Sequence, residues 1–373
     1  MSAPDTKDVI VIGGGLVGAA LGYGLADRGL GVTILDEGDD AFRASRGNFG
    51  LVWVQGKGDG FAPYADWSRG SADLWPDFAR RLSDELGQDI GYRKPGGLHL
   101  CLSEDEFEER DRLLKRMHNE AGPRGYDYRM LDRREAREMM PQLGDAVVGA
   151  SYSPHDGHVS PLYLLRALHK VFRARGGSYR PGLRVEAIEK DGEGFSVRAG
   201  GEPLRAAKVV LAAGLGSRDL GRFVGLDVPV SPLKGQILVT ERAATAFDRP
   251  TTFVRQTEEG SFMLGDSHED VGFEVSSTTN IMADIARRSI RSFPCLQRLR
   301  VVRSWAALRI MTPDGFPIYD ESRSHPGAFA VSCHSGVTLA AQHALTVAPL
   351  IAAGGFNEAL GAFSSGRFRN AAA

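Results

Sequence analysis

The sequence predicts an α/β fold, α+β over its full length: a parallel sheet with helices on both faces and a second, mixed-sheet region inserted into it. Three observations predict this. The apolar run Ile10-Val11-Ile12 enters Gly13-Gly14-Gly15-Leu16-Val17-Gly18, and Asp36 follows eighteen residues after the last glycine. Two later segments, 209–217 and 328–336, again carry an apolar strand into a glycine turn. Between them, 229–240, 251–264 and 301–308 alternate as strands of a different sheet. A chain of 373 residues exceeds one simple core, and it contains no repeat or low-complexity linker, so the second region must interrupt the first.

The first element is a Rossmann-like dinucleotide site. Gly13 permits the tight turn, Gly15 the approach of a pyrophosphate and Gly18 the packing of helix on strand, while the helix N-terminus offers free N–H groups. The helix is expected over 16–28 and the second strand over 32–35, with Asp36 at its end to accept ribose hydroxyls. Residues 64–86 have helical spacing, with Pro76 as a possible kink. Strand 97–102, a charged helix opening at Ser103 and a short helix at 132–140 make 92–143 read as an inserted module. A helix at 161–175, strands at 185–188, 195–198 and 208–213, a helix at 279–293, strand 328–332 and a helix at 337–352 complete the order. The division follows as 1–90, 146–222 and 309–373 for the nucleotide-binding domain, and 91–145 with 223–308 for the substrate domain.

Bulk properties exclude several classes. Lysine plus arginine (45) nearly balances aspartate plus glutamate (47), which gives no global field for nucleic acid or an anionic membrane. The Arg287-Arg288 and Arg291 cluster reads as a solvated helix face. Three scattered cysteines form neither a disulfide framework nor a metal spacing, so no metal is expected. Residues 1–8 leave no room for a signal peptide, and the apolar stretch 329–355 is broken by His334, Ser335, Gln342 and His343, so a cytoplasmic protein without a transmembrane segment is expected.

Taken in chain order, these motifs and Ala44-Ser45-Arg46-Gly47-Asn48-Phe49-Gly50, Asp156-Gly157-His158-Val159-Ser160-Pro161, Pro232-Leu233-Lys234-Gly235-Gln236, Trp305-Ala306-Ala307-Leu308-Arg309 and His334-Ser335-Gly336-Val337-Thr338 resemble the FAD-dependent oxidoreductases of the D-amino-acid oxidase, glycine oxidase and sarcosine oxidase superfamily. Segments 44–58 and 332–340 are similar, more narrowly, to the β subunits of heteromeric opine and proline or hydroxyproline dehydrogenases. The resemblance implies a glutathione-reductase-like FAD fold and non-covalent FAD. It implies Gly13, Gly15, Leu16 and Val17 at the pyrophosphate, Asp36 and Glu37 at the adenosine ribose, and Val185 at adenine. It also implies Arg43, Ala44 and Ser45 over the phosphates, Asn48, Gly50 and Leu51 beside the flavin, and Ala213 and Gly214 at a second approach to the nucleotide. Gly336, Val337 and Thr338 would turn backbone N–H groups to the flavin N1 and O2 edge, where negative charge gathers on reduction.

The implied reaction is oxidation of the C–N bond of an amino acid or N-substituted amino acid, an opine, imino acid or D-amino acid. Arg309 would clamp the carboxylate, with a structural ion pair as the other reading. Phe253 stands where relatives often place a tyrosine. Arg255, Lys57 and Gln55 either serve a second polar end of a larger substrate or are solvated surface groups. His334 either touches substrate or flavin or is structural, and Trp53 either walls the substrate cavity or fills core. His158 and His268 read as structural, and Cys333 as a small buried residue rather than a covalent flavin anchor. Sarcosine oxidases carry a lysine over the flavin that the corresponding stretch 262–269 lacks, which leans toward a dehydrogenase, and the narrower resemblance implies iron-sulfur or flavin partner subunits. The alternatives are a homomeric oxidase that makes hydrogen peroxide and a non-catalytic FAD-binding electron-transfer subunit.

Overall fold

The strand Lys7–Ile12 loses its alternation after two residues: Val9, Ile10, Val11 and Ile12 are all buried, as a parallel strand covered on both faces requires. In the computed structural model, which describes residues 7–38, 43–120, 126–244, 246–356 and 358–370, this strand lies inside an eight-stranded sheet. Residues 1–6, most of the segment read for a signal peptide, lie outside the described residues. The order runs Ile318–Glu321, Ala328–Ser332, Leu204–Leu211, Lys7–Ile12, Val32–Asp36 and Ser178–Pro181, with Gly194–Arg198 pairing antiparallel to Leu204–Leu211 and Ala187–Asp191 beyond it. The four pairings from Ala328–Ser332 to Ser178–Pro181 are parallel. The helices Leu16–Ala26 and Pro161–Ala174 pack against each other over this sheet.

A separate four-stranded antiparallel sheet has the order Val254–Gln256, Ser261–Leu264, Ser231–Arg242 and Val301–Met311. Its two long strands run paired from Ser231 opposite Met311 to Thr240 opposite Val301. A third sheet, Gly97–Cys101, Gly149–Ser153 and Arg129–Asp132, carries the helices Glu104–Glu120 and Arg133–Met139. Asp132 and Glu135 close the latter helix start with a reciprocal capping box. The long helix Ala62–Leu86 keeps Pro76 inside it and buries Trp75, Phe78 and Leu82 against Leu164 and Leu168.

Several expectations need correction. The strand placed at 185–188 forms at Ala187–Asp191, because it pairs antiparallel with Gly194–Arg198. The helix expected from 337 begins at Ala340 and is a π-turn over His343–Val347. Pro349 has no N–H for a carbonyl one turn back, and the wider π-turn accommodates it. Strands Arg129–Asp132, Gly149–Ser153, Ser178–Pro181 and Ile318–Glu321 went unread, since each is short and lacks clear alternation. No helix among the described residues is long and apolar enough to cross a membrane.

Candidate active site

The glycines define the cradle. A Cβ at Gly13, where φ is +107°, would lie 2.3 Å from the Ala212 carbonyl oxygen, and one at Gly18 would lie 1.9 Å from that of Gly13. Strand, turn and helix therefore fit only with hydrogen at both positions. The cavity above them has a volume of about 850 Å³, within the usual range for cofactor sites. Of the expected cofactor residues, Gly13, Gly15, Leu16, Val17, Asp36, Glu37, Arg43, Ala44, Ser45, Asn48, Val185, Ala213, Gly214 and Gly336 line it, as does His334.

The polar groups of the cradle are held by backbone. Asp36 accepts from Gly14 N at 2.6 Å and from Gly38 N at 3.0 Å, fixing its carboxylate at the strand end. Ser45 Oγ accepts from Leu16 N at 2.9 Å, which ties the loop to the first turn of the helix. Glu37 and Arg43 pair at 2.5 Å at the half-exposed rim. These residues fit a dinucleotide: there is a fixed carboxylate for a ribose and a helix start facing the cavity. At Gly336 a Cβ would make ordinary van der Waals contact with Val17 and Leu16, at 3.6 and 3.7 Å, which sets this turn against the start of the helix Leu16–Ala26.

Other expected residues sit behind the wall. Gly50, with φ +92°, would place a Cβ 2.3 Å from the Val159 carbonyl oxygen, and its N–H donates to Asn48 Oδ1. Leu51 pairs in a short strand with His158. Thr338 Oγ1 accepts from Trp53 N at 3.1 Å, and its carbonyl accepts from Ser71 and Trp75, so Thr338 braces the turn while Val337 is core. Trp53 is buried with its ring over Gly97. Phe253 lies in an apolar cluster with Leu98 and Phe262, under the Arg288 guanidinium. Arg255 is buried, donating to the Phe49 carbonyl at 2.8 Å, so the surface reading of this residue does not hold.

Gln55 is also not at the surface. Its amide donates to Asp156 at 2.6 Å and to the Gly97 carbonyl, and accepts from Ser151 and Arg110. Burial pushes the Asp156 carboxyl up to about 7 against the hydrogen bonds from Val54 and Gln55. His268 is exposed, 3.7 Å from Asp266, whereas His158 is held neutral by burial. Cys333 is buried and its thiol is pushed up to about 12, in keeping with a packing role.

Arg309 projects from Val301–Met311 with its guanidinium against Gly235. One nitrogen donates to the Ser267 and Lys234 carbonyls at 2.8 and 3.3 Å, and the other to the Asp266 carboxylate at 2.9 Å. Burial holds its pKa below the ordinary value. His334 is neutral, with burial lowering its pKa first and the charges of Lys57, Arg309 and His268 adding to that. The sequence reading missed Leu308, Ile310, Phe273 and Val275, which also line the cavity. Alternation along the strand pairs 308 with 310, but nothing local marks Phe273, which is 72% exposed at the cavity rim.

Comparison with known proteins agrees with this geometry. The family described as FAD dependent oxidoreductase (DAO) matches residues 8–350. An opine oxidase subunit from Rhizobium meliloti is 45% identical over 361 residues, 97% of each chain, and the same subunit from Agrobacterium tumefaciens (strain Ach5) is equally similar. The crystal structure of glycine oxidase from Geobacillus kaustophilus superposes with a TM-score of 0.87 at 27% identity, covering 96% of this chain and 98% of the other. With residues 8–350 matched and the glycine cradle in place, the chain belongs to the DAO family of FAD-dependent oxidoreductases, and FAD is its cofactor.

Proposed function

We propose that the protein oxidises the C–N bond of an amino acid or N-substituted amino acid, an opine, imino acid or D-amino acid. The observation that carries this reading is the Arg309 guanidinium, one nitrogen of which already donates to a carboxylate, that of Asp266, on a strand whose neighbouring Leu308 and Ile310 line the cavity. Asp266 is partly exposed, and a substrate carboxylate would take its place on the nitrogen that Asp266 holds. FAD, held by the glycine cradle and Asp36, would supply the two-electron acceptor for this oxidation. The chain's own residues orient the substrate. Arg309 fixes one end, and neutral His334 adds no positive charge to repel an amine. No side-chain base is required when the amine arrives neutral, since orientation supplies much of the rate. Loss of hydride and the N–H proton leaves an imine, which water hydrolyses to a carbonyl compound and an amine. Gly336 and the turn after it would present N–H groups to the electron-rich edge of the flavin.

In this reading 1–90, 146–222 and 309–373 hold FAD, and 91–145 with 223–308 cover the substrate. Because the two relatives at 45% identity are each named as one subunit of an opine oxidase, a heteromeric dehydrogenase is proposed, with an iron-sulfur or flavin partner taking the electrons in the cytoplasm. Among the described residues, no group of three or more His, Cys, Asp or Glu is placed to hold a metal ion. The test is anaerobic addition of opines, imino acids and D-amino acids to the FAD-loaded protein. Bleaching of the flavin absorbance is expected, and failure across the panel would refute the reading. Peroxide formed by the isolated chain in air would favour a homomeric oxidase instead, a reading to which the glycine oxidase likeness lends weight.

A further inference from the structure

The hydrogen bonds of one hydroxyl beside the cofactor cavity decide the state of a histidine on its wall. Ser335 is buried, and its Oγ has three polar neighbours. Lys57, in the loop between Leu51–Val52 and the helix Ala62–Leu86, donates to it from Nζ at 2.5 Å. Tyr64, in the first turn of that helix, donates to it at 2.9 Å, and His334 Nε2 lies 3.3 Å from it. A hydroxyl accepts two hydrogen bonds and donates one, and an ammonium can only donate. Lys57 and Tyr64 therefore fill both acceptor positions of Ser335, and its own proton is left for His334. Nε2 must then accept, and a neutral imidazole that accepts there carries its proton on Nδ1. The Nδ1 of His334 has no hydrogen-bond partner among the described residues, yet it is not sealed in as those of His158 and His343 are, so it opens on the cavity that His334 lines.

We infer that Lys57 and Tyr64, acting through Ser335, hold His334 as the Nδ1–H tautomer, so that it offers the cavity a fixed N–H donor and has no lone pair there to act as a base. Lys57 and Tyr64 are positioning residues, and His334 is the group that meets a ligand, at an atom that accepts a hydrogen bond. Protonating Nε2 would set an N–H against an oxygen with no free lone pair, which adds to the burial that already keeps His334 neutral. The inference goes beyond the amine-oxidation reading and stands apart from it, since it concerns where the protein's own protons lie.

The test reads the imidazole directly. FAD-loaded full-length protein carrying nitrogen-15 histidine is followed by long-range proton–nitrogen NMR, with His334→Gln assigning the signal among the nine histidines. At pH 7 the wild-type signal should be that of the Nδ1–H tautomer, in about tenfold excess or more over the other. Lys57→Met removes a donor and frees an acceptor position on Ser335, so the two tautomers should come within about threefold of each other, and Ser335→Ala should do the same. Lys57→Arg, again a pure donor, should restore the excess. The wild type offers a second readout that needs no substitution. Burial pushes the Lys57 amine down to about 8, and a neutral amine can accept from Ser335, so the excess should fall as pH rises through about 8. Around Lys57, Tyr64, Tyr126 and Cys333 titrate well above that range, His334 well below and Asp156 near 7, while Arg110 and Arg309 stay charged. The fall must therefore persist in Asp156→Asn. If Lys57→Met sheds FAD, the pH readout decides. An Nε2–H or doubly protonated His334 in the wild type overturns the inference, as does a tautomer ratio that neither Lys57→Met nor high pH changes. Bleaching of the flavin by an amine bears on none of these outcomes, so the two readings fail separately.

Discussion

The nucleotide cradle and the substrate wall are built by different means. The cradle is backbone: strand ends, turns where a Cβ cannot fit, and a carboxylate fixed by two N–H groups. The wall is side chains brought from far apart in sequence, Phe273, Leu308, Ile310 and His334 among them. Backbone recognition depends on contiguous residues and tolerates almost no change. Side-chain recognition is assembled by tertiary contact and is where specificity can move without loss of the fold.

The largest expected effect breaks the cradle. Gly18→Val puts carbon where Gly13 O already lies 1.9 Å from an ideal Cβ, so helix Leu16–Ala26 must separate from its strand. A loss of about 3 kcal/mol or more in stability is expected, with protein purified free of yellow colour. Retained FAD at unit stoichiometry would count against the account of the glycine turn.

The next effect lies in the polar hub behind the wall. The Asp156 carboxyl, raised to about 7 by burial, binds its proton more tightly folded than unfolded. Its stabilising contribution is therefore complete below about pH 4 and is lost as pH rises through about 7. Asp156→Asn should flatten that slope in chemical denaturation while costing about 1–3 kcal/mol at acid pH, because Gln55 loses an acceptor. A slope unchanged in the variant would assign the pH dependence to another group.

The smallest effect is at the rim: Glu37→Gln breaks a half-exposed pair with Arg43 and should change stability by less than about 0.5 kcal/mol, measured by thermal unfolding.

What the sequence made legible follows the same contrast. Glycines followed by a helix and an acid report their own geometry locally, so the cradle residues from Gly13 to Asn48 could be named before any fold was seen. Gln55 and Arg255 could not be placed, because burial of a polar loop residue is decided by partners such as Gly97, Asp156 and Phe49 that no spacing links to it. The late helix was misjudged for a similar reason: apolar periodicity is nearly the same for an α-turn and for the π-turn that Pro349 favours. Phe253 was expected at the substrate because relatives often place a tyrosine there, whereas it packs with Leu98 and Phe262 in an apolar cluster.

The central claim is that a carboxylate-bearing amine docks on Arg309 over a flavin held independently by the cradle. Rapid-mixing anaerobic reduction of wild type and Arg309→Ala by one substrate tests it most directly. The account predicts equal FAD content and about a thousandfold lower reduction efficiency in the variant. Equal reduction rates at equal FAD content would contradict it.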